Sequence, residues 1–284
     1  MGSVFTLVTC AEHPDGHPED APLRAALAAR GAEVRVRRWD DPEVRWGETT
    51  AVLRTPWDYV PRLAEFRGWL DALEARGGRV VNPLGTLRWN LHKGYLLELA
   101  ARGVAVVPSR LVPRGAAPDL SALRAETGWG ELVIKPAVSA GARGTYRAPA
   151  EDPTIAARFA ASVEAGDTLV QPFLPEVAGG ELSLIYLGGA YSHAVLKVPA
   201  RGDYRVQSDH GGAVLPLRTV AAPVREAAEA ALAAAARPWT YARVDGVVVD
   251  GAFLLMELEL LEPELFLTRA PRAAERFAEA LLEA

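Results

Sequence analysis

Over the first 85 residues, short apolar runs alternate with segments whose apolar residues recur at helical spacing. Short apolar runs are typical of buried strands, and helical spacing is typical of a helix packed on one face. The predicted elements are strands over 3–9, 32–38 and 51–54 and helices over 22–30 and 62–76. Glycines at 31 and 77 end the two helices. This alternation predicts a small parallel α/β domain over residues 1–85.

From about Gly85 the pattern changes to short strands, hairpins and helices. The predicted helices cover 89–102, 119–126, 153–163, 222–236 and 270–283. The predicted strands cover 104–107, 132–135 and 168–172, with hairpins over 182–198 and 243–259 and a polar loop over 205–212. This order predicts an α+β architecture of several small sheets that carry helices, divided into segments 86–165 and 166–284.

Composition narrows the class of protein. The 284 residues are 50% hydrophobic and 24% charged, which is typical of a globular protein with a sizeable core. The net charge of −5 argues against a nucleic-acid-binding protein that depends on bulk positive charge. Cys10 is the only cysteine, so an internal disulfide is excluded. No apolar stretch approaches the roughly 20 residues of a membrane-spanning helix, and no basic signal segment opens the chain, so the cytoplasm is the expected compartment.

Lysine is scarce, with three lysines against 28 arginines. In such a chain, arginine serves wherever a solvated cation is enough, and lysine is retained where a compact ammonium on a flexible stem is needed. All three, Lys93, Lys135 and Lys197, fall inside motif-like segments. Chance retention is the alternative, but this shared placement favours a functional role.

Glu257 and Glu259 lie in the apolar segment LLMELELLEP, where alternate residues of a strand share one face. Two carboxylates among bulky apolar residues are costly unless a cation neutralises them. Asp245, on the preceding strand of the hairpin, can join them. Such an all-oxygen cluster suits Mg²⁺. The alternative is a solvent-facing strand edge with Leu258 and Leu260 packed inside.

Lys135 ends an apolar strand and is followed by a loop of small residues that includes Ser139, Gly141 and Gly144. Backbone N–H groups in such a loop can bind phosphate oxygens while the lysine neutralises their charge. The segment is not a Walker A motif, because GxxxxGK[ST] is absent. Taken alone it is a weak signal, since many glycine-containing loops bind nothing.

A third segment, LVQPFLPEVAGGELS, runs from a strand through Gln171, Phe173 and Leu174 to Glu181. Backbone groups beside an apolar wall can bind an adenine edge, and an acid a short distance on can hold ribose hydroxyls. Without context, an ordinary strand-to-loop connection explains this segment equally well.

The order of these signals resembles the ATP-grasp ligases from about Gly85 to Leu267, and the first 85 residues look like the usual N-terminal domain of that superfamily. The pattern is similar to the bacterial glutathione synthetase type. Within it, RTPWDY, WNLHKGYL, VIKPAVSAGARGT and MELELLEP look most like the D-cycloserine synthetase group. The resemblance implies two α/β subdomains that bind ATP between them.

The resemblance also implies roles for individual residues. The nucleotide-binding residues are Lys93 and Lys135 at the phosphates, Ser139, Gly141 and Gly144 in the loop, Gln171, Phe173 and Leu174 at the adenine, the last two through their backbones, and Glu181 at the ribose. The residues implied for the reaction are Lys197 and Arg205 at the γ-phosphate and acyl phosphate, Gly211 and Gly212 beside the substrate, and Asp245, Glu257 and Glu259 around Mg²⁺.

Two departures from the family pattern stand out. The usual Glu-x-Asn pair is Glu257-x-Glu259 here, which keeps an oxygen ligand but adds a charge. The Gly-Asp-x-Arg of the glutathione type is Gly180-Glu181-Leu182-Ser183, so one substrate-facing arginine is missing. The substrates of glutathione synthesis are therefore not expected.

A polar cluster, Arg54, Trp57, Asp58 and Tyr59, follows the short strand of residues 51–54. Ligands of open α/β sheets gather beyond the carboxyl ends of strands. A guanidinium for a carboxylate, a carboxylate for an ammonium and two aromatic walls suit a small amino-acid zwitterion. The alternative is a loop in which the aromatic residues cover the core and Arg54 pairs with Asp58.

The remaining candidates lie in loops or near the first strand. His13 and His17 lie in a Pro/Gly-rich loop and His210 precedes Gly211, so both a place at the substrate and simple solvent exposure stay open for them. Cys10 lacks a motif partner and is expected to be a buried apolar residue.

The resemblance implies an ATP- and Mg²⁺-dependent carboxylate–amine ligase that acts on a small amino-acid-like substrate through an acyl phosphate. In the D-cycloserine synthetase group, the activated carboxylate and its nucleophile would lie in one molecule and cyclise. A non-catalytic nucleotide-binding module and an ATP-dependent kinase without ligation are the alternatives. The oligomeric state stays open, a homo-oligomer included.

Overall fold

The computed structural model describes residues 3–117, 119–200, 202–206 and 211–284. Within these ranges the chain forms three sheets with helices between and around them. Among the described residues, none of the helices combines the length and apolar character needed to cross a membrane.

The N-terminal sheet is parallel, as the strand–helix alternation predicts. Its strands are β1 (Val4–Thr9), β2 (Glu33–Arg38), β3 (Thr50–Thr55) and β4 (Arg79–Val80), in the order β2-β1-β3-β4. Helices α1 (Asp20–Ala28) and α2 (Leu63–Ala75) cover it. The central strands β1 and β3 are apolar because helices or other sheets bury both of their faces.

The segment after this sheet differs from the expectation of one helix over 89–102. Two helices form, α3 (Leu84–Asn90) and α4 (Tyr95–Ala101). The break falls at Lys93, whose backbone N–H donates to the carbonyl of Ala137 at 2.7 Å instead of to its own helix. The strand expected over 104–107 is reduced to a single bridge between Val106 and Leu255.

The second sheet is antiparallel and contains β5 (Arg110–Val112), β6 (Leu132–Pro136), β7 (Tyr146–Ala148) and β8 (Thr168–Pro172), in the order β5-β8-β6-β7. Helices α5 (Leu120–Thr127) and α6 (Ile155–Ala165) flank its strands in the sequence. Asp119 begins α5, because its carboxylate accepts the N–H groups of Ser121 and Ala122. The three-residue strands β5 and β7 are too short to give a periodic signal, and neither is predicted.

The third sheet carries both predicted hairpins. Its strands are β9 (Glu181–Leu187), β10 (Ala190–Val198), β11 (Ala213–Leu217), β12 (Tyr241–Val249) and β13 (Ala252–Glu259), all antiparallel in the order β11-β10-β9-β12-β13. The helices that follow in this part of the chain are α7 (Ala222–Ala235) and α8 (Ala273–Glu283). Strand β11 falls just after the predicted polar loop and is not predicted.

Hydrophobic packing joins segments that are far apart in the sequence. Phe277 of α8 shares a core with Leu23 of α1, and Leu96 of α4 shares one with Ala228 of α7. Asn82, with a φ of 60°, donates to the carbonyls of Tyr241 and Leu260 at 2.8 and 2.7 Å. The domain limits at residues 85 and 165 stay a prediction.

Candidate active site

A cleft of about 370 Å³ is bordered by residues of the second and third sheets and by residues that follow strands β1 and β3 of the first. Its lining includes most of the residues that the sequence singles out: Trp57, Tyr59, Lys93, Lys135, Ser139, Gly141, Gln171, Phe173, Leu174, Glu181, Lys197, Arg205, Asp245, Glu257 and Glu259. His13 and His17 also line it. Arg54, Asp58, Gly144, Gly211 and Gly212 do not, and His210 lies outside the described residues.

The β12–β13 hairpin brings three carboxylates together. Asp245 pairs across the ladder with Glu257, and Glu259 lies two residues on along the same strand face. One oxygen from each residue lies within 4.8 Å of the others. Leu258 and Leu260 are fully buried, so the packing expected in the alternative of a strand edge is present, but the carboxylates border the cleft. The all-oxygen donor set fits Mg²⁺.

All three lysines converge on these acids. Lys93 Nζ lies 3.5 Å and Lys135 Nζ 3.2 Å from the same oxygen, Oε1 of Glu257. Lys197 Nζ lies 2.6 Å from Glu181 Oε1 and 3.4 Å from Asp245 Oδ1. The cleft therefore holds ammonium groups, which can bind phosphate oxygens, next to carboxylates, which can bind a metal ion. This combination suits a metal–phosphate ligand.

Burial and these cations set the charges of the acids. Burial would raise the pKa of Glu257, but Lys93 and Lys135 outweigh it and hold the pKa well below its ordinary value. Burial likewise opposes ionisation of Asp245, and Arg243 and Lys197 lower its pKa. For Glu259, burial dominates and raises the pKa to about 8 despite Arg243. The neighbouring cations thus favour the ionised forms of Glu257 and Asp245.

Arg243 is a residue that sequence reasoning missed. Its guanidinium donates to Asp245 at 3.0 Å and to Glu259 Oε1 at 2.5 Å, and its Nη1 donates to the carbonyl of Glu264 at 3.0 Å. The signal that could have found it is strand alternation, since residues 243 and 245 share one face of β12. Arg243 fixes the positions of two of the three carboxylates.

The end of β8 lines the cleft with groups that suit a planar base. Gln171 is buried and donates to the hydroxyl of Ser109 at 2.9 Å. The N–H of Phe173 donates to the carbonyl of Glu131, so this N–H is not available to a ligand. Within the described part of the chain, the carbonyl of Phe173 and the N–H of Leu174 have no backbone partner. Arg147 packs its guanidinium 3.9 Å from the Phe173 ring centre.

The glycine loop adopts backbone conformations that favour glycine. Gly141 and Gly144 have φ angles of 59° and 75°. A Cβ atom on Gly144 would meet the Pro136 ring at 2.8 Å, so Gly144 shapes the turn, although it does not line the cleft. The carbonyl of Ser139 accepts Lys93 Nζ at 3.0 Å. Arg143 reaches across to Glu12, with 3.5 Å between their charged atoms.

The expected substrate cluster divides into two parts. Arg54 is 1% exposed, and its guanidinium donates to Glu19 and Asp20, each at 2.8 Å. The substrate-binding role predicted for Arg54 is therefore wrong, because a buried and fully paired guanidinium cannot reach a ligand. The alternative pairing with Asp58 is also wrong.

Asp58 faces away from the cleft as well. Its carboxylate accepts the indole N–H of Trp39 at 2.7 Å and pairs with Arg62 at 3.2 Å. Trp57 and Tyr59, by contrast, line the cleft. Trp57 and Tyr59 thus border the cleft, whereas Arg54 and Asp58 form ion pairs and hydrogen bonds away from it.

Arg205 borders the cleft from the loop after β10. Its guanidinium pairs with Asp203, with 2.8 Å between Nη2 and Oδ2. Gly211 and Gly212 lie outside the lining, so contact with a substrate in the cleft is not supported for them. Cys10 is fully buried, as expected.

Comparisons with known proteins match this architecture. Residues 5–82 match the N-terminal domain of D-cycloserine synthetase DcsG, and residues 96–235 match the ATP-grasp domain of prokaryotic glutathione synthetase. The chain is 33% identical to the cycloserine biosynthesis protein DcsG of Streptomyces lavendulae over 92% of either chain. The chain belongs to the D-cycloserine synthetase family of ATP-grasp ligases. This membership confirms an ATP-dependent ligase and removes the alternative of a non-catalytic nucleotide-binding module.

Solved structures agree with membership of the D-cycloserine synthetase family. The crystal structure of D-cycloserine synthetase DcsG superposes with a TM-score of 0.88 and 31% identity, covering 99% of both chains. D-alanine–D-alanine ligase from Bacillus anthracis has the same fold, with a TM-score of 0.70 and 15% identity over 100% of this chain and 96% of that one. The expected ATP-grasp fold is therefore confirmed.

Proposed function

We propose that this ATP-dependent ligase requires Mg²⁺, activates the carboxylate of a small amino-acid-like substrate as an acyl phosphate, and closes a ring by attack of a nitrogen in the same molecule. The observation that supports this proposal is that Lys93 and Lys135 both pair with Glu257 in the cleft. The end of β8 and the other two acids of β12 and β13 line the same cleft. The lysines can bind the phosphates of ATP, and the carboxylates can bind the metal ion.

The lysines and acids neutralise each other when no phosphate is bound. A triphosphate carries more negative charge than one carboxylate, so it draws Lys93 and Lys135 toward itself. Glu257 would then be free of its partners, and Glu257, Asp245 and Glu259 are the residues that would hold Mg²⁺. When bound, Mg²⁺ would neutralise part of the phosphate charge.

In the first step, a substrate carboxylate oxygen attacks the γ-phosphorus and the bond to the ADP oxygen breaks. Lys197 and Arg205 border this region and stabilise the charge on the transferring group. In the second step, the nitrogen attacks the carbonyl carbon and phosphate leaves with the carboxylate oxygen. A nucleophile in the same molecule removes the need to bind a second substrate. Closure of the glycine loop excludes water from the acyl phosphate.

An oxygen-labelling experiment tests this sequence of steps. The enzyme receives ATP, Mg²⁺ and O-ureidoserine labelled with ¹⁸O in its carboxylate, and mass spectrometry follows phosphate and product. We expect ADP, phosphate that carries one ¹⁸O atom, and a cyclic product. A stable phosphorylated product without free phosphate would refute the ring closure, and unlabelled phosphate would exclude the acyl phosphate. Omission of Mg²⁺ tests the metal requirement.

A further inference from the structure

His92 lies at the break between α3 and α4, directly before Lys93. Lys93 lines the cleft, whereas His92 lies outside the lining. The proposed function gives His92 no role, although the motif WNLHKGYL contains it. Its imidazole nevertheless has a hydrogen-bond partner at each ring nitrogen.

The partners of the two ring nitrogens assign the tautomer of His92. Nδ1 lies 3.0 Å from the backbone nitrogen of Gly94, and Nε2 lies 3.1 Å from Oδ2 of Asp167. A backbone N–H can only donate, so Nδ1 accepts and carries no proton. Nε2–H therefore donates to the carboxylate. The neutral imidazole thus links the start of α4 to the residue before β8.

Asp167 is itself fixed by two backbone groups. Its Oδ1 accepts the N–H of Arg114 at 2.8 Å, and its carbonyl accepts the N–H of Ala137 at 2.8 Å. The carbonyl of Ala137 accepts the N–H of Lys93 at 2.7 Å. Because His92 and Lys93 are neighbours in the chain, these hydrogen bonds close a ring through Asp167 and Ala137. The ring fixes the backbone of Lys93 relative to β6 and β8.

The glycine that follows Lys93 lets the imidazole approach the backbone. A Cβ atom on Gly94 would lie 2.8 Å from Nδ1 and 3.2 Å from Cε1 of His92. Side chains do not pack that closely, so the imidazole would have to shift. The consecutive residues His92, Lys93 and Gly94 therefore suit this arrangement as a unit.

The position of this backbone decides where the ammonium of Lys93 can reach. Ala137 holds the N–H of Lys93, and Nζ donates to the carbonyl of Ser139 at 3.0 Å. Both ends of the lysine thus contact one short segment at the start of the glycine loop. Nζ lies 3.5 Å from Glu257 Oε1. Because a lysine has many rotamers, a backbone that is fixed beforehand reduces the entropy that phosphate binding must overcome.

We propose that His92, held by Asp167, is a positioning residue that fixes Lys93 for the phosphates of ATP. The inference rests on the proposed function, in which Lys93 binds these phosphates. Without the imidazole, the N–H of Gly94 loses its acceptor and the break before α4 loses its link to Asp167. Phosphate binding would then have to order this backbone, which lowers the affinity. Adenosine makes no contact with Lys93 in this proposal, so its affinity does not depend on His92.

Binding of ATP and of adenosine, which lacks only the triphosphate, tests this role without catalysis. Calorimetry measures ATP directly and adenosine by displacement of ATP, with no amino-acid substrate present. We expect His92→Ala to weaken ATP binding about tenfold and to leave adenosine binding unchanged. Lys93→Ala should weaken ATP at least as much. In the double variant the loss should equal that of Lys93→Ala alone, because His92 acts through Lys93.

Conservative variants and a control separate positioning from general destabilisation. His92→Asn keeps a side-chain acceptor for the N–H of Gly94 and should recover part of the lost ATP affinity. Asp167→Asn keeps an acceptor for Arg114 but presents an amide NH₂ to the imidazole N–H, so it should weaken ATP as His92→Ala does. Arg88→Ala should keep both affinities, because Arg88 lies in α3, pairs with exposed acids and does not line the cleft.

Three results would overturn the positioning role: unchanged ATP binding in His92→Ala, equal weakening of ATP and adenosine, or an undiminished effect in the Lys93→Ala background. If His92→Ala does not fold, Asp167→Asn with and without Lys93→Ala decides the matter. The expected binding without ADP formation from O-ureidoserine would instead refute the proposed reaction and leave the role of His92 standing, because the binding measurements contain no substrate.

Discussion

Lys135 Nζ lies 3.2 Å from Glu257 Oε1, although 122 residues separate them in the sequence. Lys135 belongs to β6 and Glu257 to β13, so this ion pair links the second sheet to the third across the cleft. Lys93 adds a second cation at 3.5 Å from the same oxygen. Glu257 is therefore the point at which the predicted phosphate ligands and the predicted metal ligands meet.

Glu257→Gln should lower turnover by about a hundredfold or more, because Mg²⁺ loses an anionic ligand and the amide cannot replace its charge. Steady-state ADP release at saturating ATP measures the effect, and circular dichroism checks that the fold survives. Glu43→Gln serves as the control, because Glu43 is exposed and does not line the cleft, and this variant should keep the wild-type turnover. Near-normal activity in Glu257→Gln would show that this carboxylate does not bind the metal.

Lys135→Arg should be almost as damaging as Lys135→Ala, with a loss of about a hundredfold in kcat/KM. Lys135 is buried, and its ammonium pairs with Glu257 at 3.2 Å, a contact that a larger, planar guanidinium should not reproduce. The matched comparison is Arg110→Lys, which changes an exposed arginine of the same sheet outside the cleft lining and should keep the wild-type kcat/KM. Retained activity in Lys135→Arg would indicate that any cation serves at this position.

The elements that sequence periodicity predicts are the long ones. Strands β1 and β8, helix α2 and both hairpins have patterns that extend over several residues, and the structure contains them all. The helix break at Lys93 has no local signal, because it depends on a hydrogen bond to Ala137, 44 positions away in the printed sequence. Tertiary contacts outweigh helical propensity there.

In the candidate site, too, the sequence predicts what depends on a regular strand and does not predict what depends on tertiary contacts. Alternation along one strand predicts that Glu257 and Glu259 share a face, and register brings Asp245 to them. Arg54 illustrates the limit, because its position at a strand end predicts access to a ligand, while Glu19 and Asp20 from another element enclose it. Glu262 lies in the last part of the quoted segment MELELLEP and Glu264 just after it, in irregular backbone without periodicity, so only the folded chain reveals that they border the cleft.

Arg54→Ala should destabilise the fold by about 3–5 kcal/mol, because it leaves two buried carboxylates without their cation. Arg54 is 1% exposed, so solvent does not screen this loss. Urea unfolding at neutral pH measures the free energy of unfolding, and Arg35→Ala, which removes an exposed arginine of the N-terminal sheet, should leave it close to the wild-type value. A small effect of Arg54→Ala would contradict the buried ion pair.

His193 makes the stability of the fold depend on pH. Arg276 donates to the hydroxyl of Ser192, this hydroxyl donates to Nδ1 of His193, and Nε2–H donates to the carbonyl of Leu265 at 2.9 Å. This chain requires a neutral imidazole. Burial chiefly, and Arg276 in addition, lower the pKa of His193 from 6.5 to about 4.

Because the pKa in the folded state lies below that in the unfolded state, the stabilisation is complete above pH 6.5 and is lost as the pH falls toward 4. As the pH falls from about 7.5 to about 5.5, His193 binds a proton in the unfolded state but not in the folded state. The free energy of unfolding therefore falls by about 1 kcal/mol. His193→Gln keeps the donor to Leu265 and cannot titrate, so this variant should lose about 1 kcal/mol less than the wild-type protein over the same interval. Urea unfolding of both proteins at the two pH values measures the difference. Equal losses would mean that His193 is protonated in the folded state or exposed to solvent.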